Sequence, residues 1–234
     1  MSGLGGKARD AIFGLTRRLR GHPRHGVQRE LPGVHLGSSY GGYKIYLDRL
    51  DAGAIVYSVG IGEDISFDLA LIERIGCVVH GFDPTPRSIA WVAAQQLPAS
   101  FVMHPWGLAD YDGVASFLPP LNSEHVSHTL LQRAGDSRPR IELPVRRIAT
   151  IMQELGHTRL DVLKIDIEGA EYAVIDDLVA SGIRPGQILL EFHHQLPGIE
   201  LARSEGALDR LNAAGYRIFD IQATGRELSL IFEA

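Results

Sequence analysis

The sequence predicts an α/β protein built on a mostly parallel sheet with helices on both faces. Three observations predict it. From residue 54 onward, short apolar β-branched runs alternate with segments of helical periodicity, the pattern of a parallel sheet covered on both sides. The first run stops at Gly60-Ile61-Gly62 and the second at Asp83, and in such sheets ligands bind at the carboxyl ends of the strands. The last two runs, on either side of a turn at Gly225, predict a closing antiparallel hairpin.

Residues 54–59 form the first strand. Residues 65–75 follow as a helix, with Ile65, Leu69 and Ile72 at helical spacing. Residues 77–82 form the second strand, and residues 86–96 a helix that must stop before Pro98. Residues 101–103 and 161–165 are the third and fourth strands, the latter ending at Asp166. A helix over 170–180 is closed by Gly182 and Pro185. Residues 187–192 are the fifth strand, 200–213 a helix stopped at Gly215, and 216–221 with 227–232 the hairpin. Residues 119–139 have no clear periodicity, and a loop this long in a compact domain is usually a functional lid or disordered.

A length of 234 residues suits one domain with an appendage. We take residues 1–33 as a basic N-terminal arm and 34–234 as the domain. Residues 1–30 hold seven basic residues against Asp10 and Glu30, so the arm carries a net +5 and the remainder −10 of the overall −5. An acidic body is a poor nucleic-acid binder, so no nucleic-acid partner is expected. Within the arm, Ala8, Ile12, Leu15 and Leu19 share one helical face, and Gly21-His22-Pro23 ends the pattern. The favoured reading is a short helix docked on its own domain or a frayed arm; the alternatives are a basic helix on an anionic membrane or the seam of a homodimer. No run is long enough to span a membrane, so no stable membrane insertion is expected, and no signal peptide is evident. The single cysteine, Cys77, excludes an internal disulfide and a Cys-rich zinc site, and suits a reducing, cytoplasmic setting.

Glycines at the end of the first strand let backbone approach a ligand closely, and a carboxylate at the end of the second can accept both hydroxyls of a ribose. Together Gly60, Gly62 and Asp83 point to an adenosine-type ligand. A dinucleotide fingerprint needs a small residue three after the second glycine, and that place is Ile65. S-adenosylmethionine has no pyrophosphate and does not need it, so it is the expected cofactor over NAD.

Residues 163–171, Leu-Lys-Ile-Asp-Ile-Glu-Gly-Ala-Glu, closely resemble the signature of FkbM-type S-adenosylmethionine-dependent methyltransferases. Residues 56–67, 81–85 and 188–193 resemble other motifs of the same family. The resemblance implies a Rossmann-like class I methyltransferase fold, with a seven-stranded sheet, and most commonly O-methylation of a sugar, glycan or natural product. It further implies that Gly60, Gly62 and Asp64 line the methionine end, with Ser58 and Ser66 of the same motif beside them. Asp83 would hold the ribose. Trp106, Gly107 and Leu108 would lie near adenine, with core packing an equal alternative for Trp106. Tyr40 and Gly42 would fold over the cofactor. Class I methyltransferases often carry an acidic residue at the position of Ser58; here Glu63 or Asp64 would have to supply that charge.

Methyl transfer needs an aligned nucleophile and a proton acceptor. Asp166 and His193, at adjacent strand ends, are the candidate bases, histidine having the better-matched ordinary pKa of about 6.5. The competing reading of Asp166 is an N-cap for a helix over 168–180. Glu168 and Glu171 suit the first turn of that helix, and Glu168 is kept as a substrate contact with His128 and His194. Glu191 could be buried and paired with Lys164. Asp166, Glu191 and His193 or His194 could ligate a magnesium-like ion, but the spacing does not demand one and no metal is expected. The competing functions are a non-catalytic cofactor-binding scaffold and, less favoured, a nucleotide-dependent oxidoreductase.

Overall fold

The computed structural model describes residues 12–117 and 140–233. A seven-stranded sheet forms its centre. Five parallel strands are β3 (Ile55–Val59), β4 (Val78–Phe82), β5 (Phe101–His104), β9 (Val162–Ile165) and β10 (Gln187–Glu191). The hairpin of β11 (Tyr216–Ile221) and β12 (Glu227–Phe232) completes it, in the order β11-β12-β10-β9-β3-β4-β5. β12 pairs antiparallel to β10, Gln187 opposite Ile231. The chain therefore has the expected class I methyltransferase fold.

Side chains alternate across the strands because the strand period is two. Tyr57, Val59, Leu163, Ile165, Ile188 and Leu190 pack to one face. There they meet α4 (Ile148–Leu155), α5 (Glu171–Ser181) and α6 (Leu201–Ala213). Val56, Val79, Val162 and Leu189 pack to the other, against α2 (Ser66–Ile75) and α3 (Pro86–Ala93). Burial on both faces is why these strands read as continuous apolar runs rather than alternating ones. α2 and α5 end at left-handed Gly76 and Gly182, and α3 begins on Pro86.

Six further elements were not expected. β1 (Val34–Leu36) and β2 (Tyr43–Ile45) form an antiparallel pair before the first central strand. β6 (Gly107–Leu108), β7 (Gly113–Phe117) and β8 (Ile141–Arg146) form a small second sheet, and α4 follows it. The aperiodic stretch 119–139 connects β7 to β8 and, with His128, lies outside the described residues.

The arm departs from expectation in how it docks. Residues 12–19 are helical (α1), but Ile12, Leu15 and Leu19 face solvent, and Ala8 lies outside the described residues. Polar contacts hold the arm instead. Arg18 and Arg24 both bond Glu205, Arg24 also bonds Asp209, and the amides of Gln28 and Arg29 donate to the Ile218 carbonyl. Among the described residues no helix is long and apolar enough to cross a membrane.

Candidate active site

A cavity of about 490 Å³ opens at the carboxyl ends of β3, β4 and β9. β3 lies between β9, reached by a long crossover, and β4, so the cavity sits where the strand order reverses. Gly60 closes its floor. Its φ is +81°, and a Cβ there would stand 1.6 Å from the Asp166 carbonyl oxygen, so only glycine lets the two strand ends meet. Gly62, at φ +56°, meets nothing within 4 Å and leaves the turn open to the cavity.

Nine of the expected residues line the cavity: Tyr40, Gly60, Gly62, Asp64, Asp83, Gly107, Leu108, Asp166 and Glu168. Asp64 accepts hydrogen bonds from Ser38 Oγ at 2.6 Å and the Ser66 amide at 2.8 Å. Burial alone would raise its pKa, but these bonds and the nearby Lys164 hold it below the usual carboxylate range. Glu63 is paired with Arg87 at 2.7 Å. Asp64 is therefore a fixed negative charge on this wall. Tyr40 stands at the rim, 86% exposed.

Asp83 faces the cavity but is committed internally. Its Oδ2 accepts the amides of Ile61 and Gly62, at 3.1 and 3.0 Å, and its Oδ1 accepts the amide and hydroxyl of Thr85, at 2.9 and 2.7 Å. A carboxylate offers about four acceptor positions, so Asp83 ties the first glycine turn to the second strand end. Ribose hydroxyls would have to share those oxygens.

Several expectations need correction. Ser58 is fully buried in β3, beside Lys164 of β9 in the strand register, and is absent from the cavity wall. Below it Asp68 is pushed up to about 6 by burial, against the pull of Lys164. Ser66 braces the loop by accepting from the Ser38 amide. Gly42 is buried and donates to the Ser38 carbonyl; its neighbour Gly41 lines the cavity instead. Trp106 packs on His104 at 5.2 Å under the Arg146 guanidinium, the core reading of the two. His194 turns away, between Ser204 Oγ and the Gly21 carbonyl. Asp166 caps no helix, because α5 begins five residues later.

His193 is the largest correction. Its ring is buried behind the cavity wall, with Asp166 Oδ1 at 3.5 Å, Glu168 Oε2 at 3.6 Å and Glu191 Oε1 at 3.9 Å from Nε2. Nδ1 lies 3.5 Å from Glu171 Oε1. Burial depresses the imidazole, but Glu171, Glu168 and Asp166 outweigh it and raise the pKa to about 9. Unless a cation displaces its proton, the ring favours the protonated form at neutral pH, the wrong state for a base. Glu171 is fully buried and accepts the amides of Gly169 and His193, at 2.7 and 2.9 Å, stitching the β9 loop to the β10 end. Glu168 holds that loop at φ +49°, the one left-handed non-glycine among the described residues; such strain concentrates at functional sites. Glu191 is not paired with Lys164. It faces His193 and Arg226, and burial with the Asp166 charge raises its pKa to about 7.

Sequence reasoning missed Gly41, Phe117 and Lys164 in the cavity wall and the bridging role of Glu171. Lys164 had a readable signal, a charge inside the apolar run 162–165. Phe117 had none, because the sheet that presents it was not legible.

The glycine floor, the fixed carboxylate and the acidic far end all stand at the strand-order reversal, where an open α/β sheet of this class binds its ligand. The chain matches the Methyltransferase FkbM domain family over residues 51–218, and it belongs to that family. It is 30% identical over 158 residues to the probable methyltransferase-like protein 24 of Rattus norvegicus, and 28% to the Homo sapiens protein. Both alignments cover 66% of this chain but only 37% of those proteins. A solved methyltransferase FkbM from Methylobacillus flagellatus superposes with a TM-score of 0.52 at 14% identity, covering 80% of this chain and 45% of that one; at that identity it speaks to the fold alone.

Proposed function

We propose that the chain transfers the methyl group of S-adenosylmethionine to a hydroxyl of a small molecule, sugar or glycan. One observation carries the reading. The cavity joins a fixed carboxylate, Asp64, beside a glycine turn to a second carboxylate, Asp166, across the Gly60 floor. The first end suits the cofactor's ammonium and the second suits an acceptor. The methyl donor is already activated, so the protein has to align the hydroxyl and take its proton. We take Asp166 as that proton acceptor, and His193, buried behind it with Nε2 3.5 Å from Asp166 Oδ1, as the group that positions the carboxylate. A cytoplasmic setting is part of the same proposal, supported by the lone buried thiol of Cys77.

The test is calorimetric titration with S-adenosylhomocysteine, with NAD as control. Binding of the first and not the second is expected. Asp166→Asn should keep that affinity and lower turnover on an acceptor found by screening by about 10²–10⁴-fold. Binding of NAD alone would replace the reading with an oxidoreductase. Normal turnover in Asp166→Asn would remove Asp166 as the base.

A further inference from the structure

We propose that Asp166, Glu191 and His193 form a site for one divalent transition-metal ion of the manganese type at the carboxyl ends of β9 and β10. One donor atom from each lies within 4.8 Å of the other two. From His193 Nε2, Asp166 Oδ1 is at 3.5 Å and Glu191 Oε1 at 3.9 Å. These separations are too long for hydrogen bonds. They suit ligands around one ion, since bonds of about 2.1 Å put neighbouring donors about 3.0 Å apart and opposed donors about 4.2 Å apart.

The imidazole is the independent sign. Its side chain is only 4% exposed, yet Nδ1 has no hydrogen-bond partner and Nε2 reaches the carboxylates at 3.5 Å or more. Nε2 faces Asp166, Glu168 and Glu191, at 3.5, 3.6 and 3.9 Å. Nδ1 points at Glu171, which the Gly169 and His193 amides hold rigidly. A metal-bound histidine characteristically turns its second nitrogen to a carboxylate or carbonyl, fixing the tautomer and ring angle. Glu171 stands in that place.

Charge points the same way. Asp166, Glu168, Glu171 and Glu191 surround one imidazole. A dication would displace the imidazole proton and balance the two liganding carboxylates. One imidazole with two carboxylates suits manganese better than magnesium, which favours all-oxygen shells, or than zinc in a closed sulfur and nitrogen site. The site stands on ligand geometry and does not depend on which acceptor is methylated. One consequence does rest on the proposed activity: a hydroxyl bound to the ion would ionise more readily than a free one.

The experiment uses the full chain, stripped with EDTA and titrated with manganese chloride while paramagnetic resonance follows the free ion. S-adenosylhomocysteine calorimetry runs on the same samples. One bound manganese per chain is expected, with nitrogen hyperfine coupling from the imidazole. Glu191→Gln and His193→Gln should each weaken binding more than tenfold, and Glu171→Gln by about 10–100-fold through ring positioning. Retained S-adenosylhomocysteine affinity would establish that the variants fold. The proposal is overturned by no saturable binding at millimolar manganese, by unchanged affinity in both ligand variants, or by a bound ion without nitrogen coupling. Tight binding of magnesium or zinc with none of manganese would overturn the assigned ion. Manganese binding without S-adenosylhomocysteine binding would leave the metal site standing and remove the proposed function.

Discussion

Replacing Gly60 with alanine tests how the site is assembled. Two costs are built in. The residue sits at φ +81°, where a Cβ meets the following carbonyl, at about 1–2 kcal/mol for an ordinary residue. The new Cβ would also stand 1.6 Å from the Asp166 carbonyl oxygen and 2.7 Å from its carbon. Those are backbone atoms, so β3 and β9 must part, and overpacking of this kind costs roughly 1–3 kcal/mol. The sum is roughly 2–5 kcal/mol. For a chain of this size the melting temperature should fall by roughly 4–20 °C. Because the Asp166 amide bonds the Val59 carbonyl at 3.0 Å, the same parting displaces the acidic end of the cavity. Urea unfolding followed by circular dichroism reads the stability, with the m-value checked for constancy. Gly182→Ala is the control: its φ is +75°, but nothing lies within 4 Å, so it isolates the dihedral cost. If Gly60→Ala loses no more than Gly182→Ala and binds S-adenosylhomocysteine normally, the close approach of the two strand ends is not what shapes the site.

Two further predictions concern stability. Beside Tyr57, His80 stacks on His104, and burial, helped by the His104 and His157 charges, lowers its pKa to about 4. The unfolded histidine titrates near 6.5, so the unfolded state binds more protons between those values; stability is full above about 6.5 and is lost as pH falls toward 4. The limiting loss is about 3 kcal/mol, and roughly half that for a ring only half-buried; His80→Phe should flatten this acid limb in urea titrations, and an unchanged limb would refute the assignment. Glu205, pulled down to about 2 by its Arg18 bond against burial, with help from Arg24, anchors the arm. Glu205→Gln should cost about 1.5–3 kcal/mol and speed amide exchange over residues 12–29; unchanged protection there would mean the helix is held by something else.

The central sheet was legible because its strands are buried on both faces. The runs at 55–59, 78–82 and 187–191 announced themselves by apolar content alone. The pieces that were not legible are short or half-exposed. β6 is two residues long, and β7 leaves Val114 in solvent. A strand that short has no period to read, and its pairing partner β8 lies beyond a long connection. The fate of the arm was hidden for another reason: its apolar stripe suggested a docked face, but Arg18, flanking that stripe, and Arg24, beyond the helix, found Glu205 and Asp209, which are nearly 190 residues away in sequence.

Within the site, the sequence by itself determined the turn glycines and the carboxylates that end the strands. Their chemistry depends on backbone freedom and on position at a strand terminus, and both are local properties. Tertiary structure decided what those groups are available to do. Asp83 looked free for a ribose until the Ile61, Gly62 and Thr85 donors were placed around it. His193 looked like a base until four carboxylates closed on it from two strand ends and one helix. A protonation state is set by neighbours within a few ångströms, and those neighbours are brought together by folding.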